Sequence, residues 1–190
     1  MFRDTIAITN RNLIKGDYLE QIRKVVSLHP YALILREKDL TDEAYEELAG
    51  KVLQICEAGN VPCFLHSRYL VARKLGCRNI HLSLSDLRAC KDSVREFEQI
   101  SVSCHSLEDV EYAIQHGATQ IILGTIFETE CKRGLKGRGL SFVREVASYC
   151  RLHGDIPVFA IGGITPDNIE YVKEAGARGG CMMSYLMRMR

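Results

Sequence analysis

Short apolar runs of strand length alternate with longer segments of helical spacing from one end of the chain to the other. The runs that predict β-strands are Thr5–Thr9, Tyr31–Leu35, Cys63–His66, Asn79–Ser83, Ile100–Cys104, Gln120–Ile126, Pro157–Ile161 and Gly179–Ser184. In the segment before the third run, Leu48, Val52 and Ile55 recur at intervals of four and three residues and form one apolar stripe of a helix. Strands and helices that alternate in this way favour a parallel sheet covered by helices.

The ends of these segments support a repeated strand–helix unit. Gly76, Gly117 and Gly176 each follow a helical run and precede a strand, as expected of loops that begin with a glycine helix cap. The eight strand runs predict an α/β fold, a single (β/α)8 TIM-barrel domain over residues 1–190, with a doubly wound open sheet as the alternative. After Ser184 only six residues remain, so we expect a shortened C-terminal helix. A second subunit could cover the barrel wall there, which would make the protein a homodimer.

Composition narrows the classes of partner. The 190 residues suffice for one domain with a sizeable core. The 25 basic and 24 acidic residues give a net charge of +1, which argues against a nucleic acid or a membrane surface as partner. The sequence has no apolar stretch near the roughly 20 residues of a membrane span and no secretory signal, so we expect a cytoplasmic protein. Its eight cysteines show no metal-ligand spacing and are expected to be reduced, mostly structural thiols.

A phosphate-binding pattern follows the seventh predicted strand. The apolar run Val158–Ile161 breaks at Gly162-Gly163, where the backbone can approach a ligand without side chains in the way. Thr165 and Pro166 then occupy positions typical of a helix N-cap and first turn. The eighth strand ends in Met183-Ser184. Neighbouring strand ends of this kind, late in a barrel, commonly hold a phosphate, so the sequence predicts a phosphorylated small-molecule ligand.

Other strand ends offer charged groups to the same mouth of the barrel. Arg36 and Lys38 lie two residues apart after the second strand and should point to one side, which suits an anionic ligand. The alternative is a solvated strand end in which Glu37 or a neighbouring acid pairs with them. His105 follows the fifth strand at a helix N-terminus, where an imidazole exposed to the site could act as a general acid–base. A purely structural role for His105 stays open from its position alone.

With these motifs the chain resembles the thiamin phosphate synthase superfamily over nearly its whole length. The matching pieces are Leu35-Arg36-Glu37-Lys38, Val61-Pro62, His81-Leu82 with Asp86, Ser103 with His105, Lys132, Ala160-Ile161-Gly162-Gly163-Ile164 and Met183-Ser184. The resemblance implies a (β/α)8 barrel and a thiazole phosphate ligand whose phosphate is gripped by the backbone of Gly162-Gly163 and Ser184.

One branch of this superfamily is the synthase, which joins a pyrimidine pyrophosphate to the thiazole phosphate and needs Mg²⁺. In its pattern an Asn-Asp pair ends strand 3, and a Gln precedes the strand 2 arginine by two residues. This chain has His66-Ser67 and Ile34 at those positions, so the first magnesium carboxylate is missing. Asp86 remains at the second carboxylate position. The Thr-x-Thr-Lys of the strand 6 loop reads Thr129-Glu130-Cys131-Lys132, which loses a hydroxyl.

The other branch is a thiazole tautomerase, which aromatises a thiazole carboxylate phosphate. The chain resembles it at Cys104-His105-Ser106-Leu107-Glu108 and along the loop from Phe127 to Gly139. This resemblance implies that His105 is the acid–base. One such group can remove a proton from the ring and deliver one to the exocyclic carbon, so the reaction needs no metal or cofactor.

The sequence therefore predicts a thiazole tautomerase with His105 as its catalytic residue. The expected substrate contacts are Arg36, Lys38, Ser103, Thr129, Cys131, Lys132, Gly162, Gly163, Met183 and Ser184. The alternative is a magnesium-dependent thiamin phosphate synthase, in which Asp86 would bind Mg²⁺. A second alternative is a barrel without catalytic activity that binds thiazole or thiamin phosphates and regulates a partner.

Overall fold

The sheet closes into a barrel in a computed structural model, which describes residues 2–90, 92–128 and 137–189. Within these residues eight parallel strands pair in sequence order, and the first strand also pairs with the eighth. Helices connect successive strands and cover the outside of the sheet. The predicted (β/α)8 barrel is confirmed, and the open-sheet alternative is wrong.

The bounds of the elements follow the predicted alternation closely. The strands are β1 Thr5–Ile8, β2 Ala32–Leu35, β3 Cys63–His66, β4 Asn79–Ser83, β5 Gln99–Cys104, β6 Gln120–Gly124, β7 Val158–Ile161 and β8 Gly179–Met182. The helices are α1 Tyr18–Ser27, α2 Asp42–Ala58, α3 Tyr69–Lys74, α4 Leu84–Cys90, α5 Leu107–Gln115, α6 Gly139–Leu152, α7 Ile169–Glu174 and α8 Ser184–Met187, with a short 3-10 helix at Arg11–Leu13. Strands β6 and β8 stop before the ends of their apolar runs because the chain turns there into the mouth of the barrel.

Alternation of side chains along each strand divides the apolar residues between two layers. One layer fills the interior of the barrel and includes Ile6, Ile34, Phe64 and Phe159. The other layer lies between the sheet and the helices and takes the neighbouring strand positions, such as Leu33. Only side chains in phase with the first layer can therefore reach a ligand at the open end of the interior.

Local signals at the helix ends match the observed boundaries. The Thr41 hydroxyl accepts a hydrogen bond from the backbone N–H of Ala44 (3.3 Å) at the start of α2. Ser106 and Asp109 form a reciprocal capping box at the start of α5. Gly76 follows α3 with a positive φ of 66°, which glycine adopts without a steric penalty. These caps set where each helix leaves the sheet and returns to it.

The last helix is short, as the sequence predicts, and the chain itself closes the barrel wall beside it. α8 has four residues, and its Leu186 and Met187 are buried. The Gln21 amide of α1 donates hydrogen bonds to the carbonyl oxygens of Leu186 (2.8 Å) and Met189 (3.2 Å). The homodimer stays a prediction.

The cysteines of the described chain are core residues. Cys56, Cys63, Cys77, Cys90, Cys104, Cys150 and Cys181 are all buried and unpaired there. Burial raises the pKa of Cys104 and Cys181, which keeps these thiols protonated and unreactive. Among the helices of the described chain, none is long and apolar enough to cross a membrane.

The Tyr45 hydroxyl joins the ends of β2 and β3. It donates a hydrogen bond to the Leu35 carbonyl (2.7 Å) and accepts one from the backbone N–H of His66 (3.1 Å). The tyrosine is fully buried on α2, and the guanidinium of Arg68 lies 4.5 Å from the centre of its ring. Helix α2 thereby fixes two strand ends that face the mouth of the barrel.

We expect Tyr45→Phe to lower the free energy of unfolding by about 1–3 kcal/mol, because it leaves a buried carbonyl and a buried N–H without this partner. Chemical denaturation followed by circular dichroism measures the change. Tyr171→Phe is the matched control, since Tyr171 is 55% exposed. A Tyr45→Phe protein as stable as the control would contradict the assigned role.

Candidate active site at the carboxyl end of the barrel

After β2, the carboxylate of Glu37 is bound apart from its two cationic neighbours, Arg36 and Lys38. Glu37 is only 2% exposed. Its carboxylate accepts hydrogen bonds from the Thr9 hydroxyl (2.7 Å), the Arg11 backbone N–H (3.1 Å) and the Tyr18 hydroxyl (3.1 Å). These donors all follow β1, so Glu37 joins that segment to β2. The alternative in which Glu37 pairs with its two cationic neighbours is therefore wrong.

Arg36 and Lys38 remain as a pair of cations at the barrel mouth. Within the described residues neither side chain forms an ion pair. Both charges act on the imidazole of His66, the last residue of β3, and on that of His81 in β4. Both cations therefore lie near the ends of β3 and β4, and their binding of an anionic ligand stays a prediction.

Asp86, near the start of α4, is held by three donors. Its Oδ2 accepts hydrogen bonds from the Ser67 hydroxyl (2.6 Å), the Ser83 hydroxyl (2.6 Å) and the Ser83 backbone N–H (3.2 Å). The Ser67 oxygen also lies 3.1 Å from Nε2 of His66. Because Ser67 gives its proton to Asp86, we assign the proton of this second hydrogen bond to Nε2 of His66.

Ser67 occupies a strained backbone position between β3 and α3. Its φ of 64° lies in the left-handed region, which costs a residue other than glycine roughly 1–3 kcal/mol. The backbone N–H of Ser67 donates to the carbonyl oxygen of His81 (2.9 Å), which fixes this turn against β4. Strain of this kind clusters at functional sites, so the end of β3 is a strong candidate.

Buried polar side chains fill one side of the barrel interior. The rings of His66 and His81 stack with their centres 5.3 Å apart. Nδ1 of His81 lies 2.9 Å from the Ser101 hydroxyl, and its Nε2 lies 3.1 Å from the Ser103 hydroxyl. The Gln120 amide donates to Ser101 over 3.1 Å. Ser103, a predicted contact residue, is thereby held within this network at the end of β5.

Burial and the nearby charges set the ionisation of these groups. Burial lowers the pKa of His66 to about 4, and Lys38 and Arg36 add to the effect. Burial likewise lowers the pKa of His81 well below its usual range. For Asp86, burial alone would raise the pKa, but the hydrogen bonds from serine hydroxyls outweigh it and hold the pKa below its usual range. At neutral pH the two imidazoles are neutral and the carboxylate is charged.

The two glycines after β7 make room for another part of the chain. Gly162 and Gly163 have positive φ values of 103° and 66°. A Cβ atom on Gly162 would lie 2.4 Å from Cγ2 of Thr125, and one on Gly163 would lie 2.9 Å from the carbonyl oxygen of Glu128. The glycines therefore let the segment after β6 cross closely over this turn, a reason beyond the ligand approach that the sequence indicates.

The same turn presents backbone donors to an anion. Within the described residues, the N–H groups of Gly163 and Ile164 donate no hydrogen bond. The Asn168 side chain fixes the turn, donating to the Gly163 carbonyl (2.8 Å) and accepting from the Thr165 N–H (2.9 Å). After this turn, α7 begins at Ile169. The expectation of a helix that starts at Thr165 and its neighbouring proline is wrong.

Met183 and Ser184 lie at the end of β8, beside this turn. β8 pairs with β7, and Ser184 is the first residue of α8. The chain therefore brings the two predicted phosphate-binding segments together at adjacent strand ends. Thr129, Cys131 and Lys132, the other predicted contacts, lie outside the described residues.

His105 follows β5 directly and is exposed. Its Nδ1 lies 2.8 Å from the Gly124 carbonyl oxygen, which can only accept, so Nδ1 carries the proton and Nε2 is an open acceptor. Its backbone N–H donates to Asp109 (2.8 Å), and the Arg138 guanidinium donates to its carbonyl oxygen. The imidazole orientation is thus fixed by the neighbouring strand.

The two buried histidines, Ser101 and Gln120 are absent from the substrate contacts and the catalytic residue predicted from sequence. His66, His81, Ser101 and Gln120 are less than a tenth exposed yet polar. Each stands inside a predicted strand, where an apolar residue is the usual occupant. The sequence signal that could have identified them is a polar residue at a strand position whose side chain faces the barrel interior.

Comparison with known proteins gives a consistent family. A family described as thiamine monophosphate synthase matches residues 5–186. A thiamine-phosphate synthase of Bacillus licheniformis is 33% identical over 187 residues, covering 95% of this chain and 82% of that protein. A thiamine-phosphate synthase of Clostridium tetani is 27% identical over 183 residues, covering 95% and 86%. A solved thiamine phosphate pyrophosphorylase from Pyrococcus furiosus superposes with a TM-score of 0.82 at 23% identity, covering 98% and 88%, which shows a shared fold.

These names correct the function predicted from sequence. The relatives are named as synthases, so the prediction of a thiazole tautomerase is wrong and its synthase alternative is favoured. The role of His105 as the acid–base of that isomerisation falls with it. The resemblance behind the prediction lies largely in the loop after β6, of which residues 129–136 are outside the described structure.

The buried imidazoles should make stability fall with acid. An unfolded histidine titrates near 6.5, whereas His66 titrates at about 4 in the fold, so the unfolded chain binds more protons between these values. The stabilising contribution is complete above pH 6.5 and is lost as the pH falls towards 4. We expect His66→Asn to flatten the pH dependence of the unfolding free energy by about 1.4 kcal/mol per pH unit in this window.

Denaturant unfolding at a series of pH values from 7 to 4 measures this slope. His153→Asn is the control, because His153 is exposed at the end of α6. Equal slopes for wild type and His66→Asn would contradict the neutral, buried state of His66.

Proposed function

The chain belongs to the thiamine monophosphate synthase family, and on that premise we propose that it is a thiamine-phosphate synthase. The reaction joins a pyrimidine pyrophosphate to a thiazole phosphate and releases pyrophosphate. The observation that carries the proposal is the presence of two separate places for anions at one barrel mouth. One substrate brings a diphosphate and the other a monophosphate, so a synthase needs two such places.

The first place is the cation pair at the end of β2. When the bond between the pyrimidine carbon and the pyrophosphate oxygen breaks, the leaving group takes the bonding electrons and its negative charge grows. Positive groups already in position stabilise this charge more in the transition state than in the bound substrate. Arg36 and Lys38 meet this requirement, since no acid in the described chain neutralises them.

The second place is the turn after β7. Among the described residues no acceptor takes the backbone N–H groups of Gly163 and Ile164, which can then bind phosphate oxygens, and the Asn168 bridge holds the turn in place. Backbone donors fixed in this way bind a phosphate without ordering further side chains. Met183 and Ser184 at the neighbouring strand end would complete the contact. Thr129, Cys131 and Lys132 stay predicted contacts of the substrates.

Mg²⁺, which the synthase branch uses, does not fit the residues present. Mg²⁺ is usually held by one or two carboxylates together with substrate phosphates. Among the described residues, Asp86 is the carboxylate that acts on the end of β3, since Glu37 is bound to the segment after β1, and Oδ2 of Asp86 already accepts three hydrogen bonds. Ser67 stands where the family's other carboxylate would be and donates to Asp86. Within the described chain, no group of three potential metal ligands occurs.

The direct test supplies both substrates to the purified protein and measures thiamin phosphate by chromatography and pyrophosphate by a coupled assay. We expect stoichiometric formation of the two products. Absence of thiamin phosphate both with Mg²⁺ and with EDTA would contradict the proposed function.

We expect Arg36→Gln to lower kcat/KM for the pyrimidine pyrophosphate about 100-fold, because a charge-assisted contact to the leaving group is lost. Initial rates of pyrophosphate release at varied substrate concentration measure the effect. Lys24→Gln on α1 removes the same charge from an exposed position and should leave the rate unchanged. Equal losses in the two variants would argue against a contact at Arg36.

We expect Gly163→Ala to raise KM for the thiazole phosphate about tenfold while KM for the pyrimidine pyrophosphate changes little. A Cβ atom there meets Glu128 and forces the turn that presents the backbone donors to move. Gly76→Ala is the matched control, since Gly76 has the same φ of 66° but no atom within 4 Å of the added Cβ. A parallel rise of both KM values would contradict a separate phosphate site.

A further inference from the structure

The oxygens of Ser67, Ser83 and Asp86, which are the candidate ligands of a divalent cation, form hydrogen bonds with one another. Ser67 gives its hydroxyl proton to Oδ2 of Asp86, and the Ser83 hydroxyl and N–H donate to the same oxygen. The Ser67 oxygen in turn lies within hydrogen-bond distance of Nε2 of His66. A cation at this point would have to break a closed set of hydrogen bonds and would gain a single carboxylate in return.

The charge at this side of the mouth is positive without any metal. Arg36 and Lys38 carry two positive charges, Asp86 carries one negative charge, and the imidazoles of His66 and His81 are neutral at pH 7. These are the charged and titratable groups that act on the end of β3. A diphosphate would therefore meet net attraction at this place.

We propose that this site binds a diphosphate as the metal-free anion, with Arg36 and Lys38 in place of a divalent cation. The ligand class, a pyrimidine pyrophosphate or the pyrophosphate released from it, rests on the proposed function. An arginine presents paired N–H groups that bind two phosphate oxygens at once, and a lysine adds a compact charge. Together they can neutralise as much charge as one divalent cation.

Ser67, directly after β3, is the residue that makes a divalent cation unnecessary at this site. The Ser67 hydroxyl lies 2.6 Å from Oδ2 of Asp86, so a carboxylate in its place would bring two negative charges close together, a repulsion that a bound cation offsets. The hydroxyl removes that charge and replaces the repulsion with a hydrogen bond. With a hydroxyl in place of that carboxylate, the site no longer needs a metal ion to offset the repulsion.

Isothermal titration of the full chain with inorganic pyrophosphate tests the proposal, once in EDTA and once in excess Mg²⁺. We expect the Kd in EDTA to lie within about twofold of the Kd in Mg²⁺, since side-chain cations supply the charge. Arg36→Gln and Lys38→Gln should each weaken binding in EDTA about tenfold, whereas Lys24→Gln should not. Circular dichroism of each variant verifies that it is folded.

Ser67→Asp provides the reverse experiment. Aspartate tolerates the left-handed φ of 64° at this position better than most residues, so the backbone need not change. We expect this variant to bind pyrophosphate about tenfold more weakly than wild type in EDTA and to regain affinity in Mg²⁺, because two carboxylates now face each other. Ser27→Asp adds the same charge on α1 and should show neither effect. Affinity of Ser67→Asp that ignores Mg²⁺ would overturn the argument.

The outcomes separate this inference from the proposed function when thiamin phosphate formation is measured on the same preparations. Wild-type binding that weakens tenfold or more in EDTA, or no binding in either condition, would overturn the inference. Product formation that requires Mg²⁺ together with Mg²⁺-dependent binding would overturn it and leave the synthase intact. Metal-free binding without product formation would support the inference and contradict the synthase.

Discussion

Closure of the sheet through the pairing of β1 with β8 is the constraint on which every other feature depends. In a closed parallel barrel all strands end at one mouth, and every second side chain faces the interior. Arg36 after β2, His66 at the end of β3 and the turn after β7 therefore lie at the same mouth although they are distant in sequence. The buried Tyr45 hydroxyl makes this convergence rigid, because it ties the ends of β2 and β3 to α2.

At this mouth, hydrogen bonds rather than additional charges hold the polar side chains of the interior in place. Two neutral imidazoles, held in the interior by serine hydroxyls, occupy space beside a cation pair without adding to its repulsion. Asp86 keeps its charge because three donors solvate one of its oxygens. The mouth is thus polar and positively charged on one side, and on the other it offers backbone N–H groups.

Sequence periodicity predicts the fold well because each strand is buried on both faces and each helix carries one apolar stripe. It predicts the cations and the glycine turn for the same reason, since strand ends are visible as breaks in apolar runs. It notes His66 at a strand end and His81 in a motif but assigns neither a role, because a polar residue inside a short apolar run changes neither periodicity nor composition. The start of α7 is also not predicted, since the Asn168 side chain stabilises a turn before the helix through its bonds to Gly163 and Thr165.

The function predicted from sequence fails for a different physical reason. A phosphate bound by backbone N–H groups serves isomerisation and group transfer equally, so that turn alone indicates the class of ligand and leaves the reaction open. The second place for an anion, at the cation pair, is what favours a reaction of two phosphorylated substrates. What separates the two chemistries is the charge at two positions, Ser67 and Asp86, and the contacts of the loop after β6. A carboxylate exchanged for a hydroxyl on an unchanged backbone alters the charge of the site while leaving its geometry in place. On the proposed function, the reaction depends on how the diphosphate charge is neutralised, and among the described residues Arg36 and Lys38 are cations at the mouth of the barrel that are suited to this.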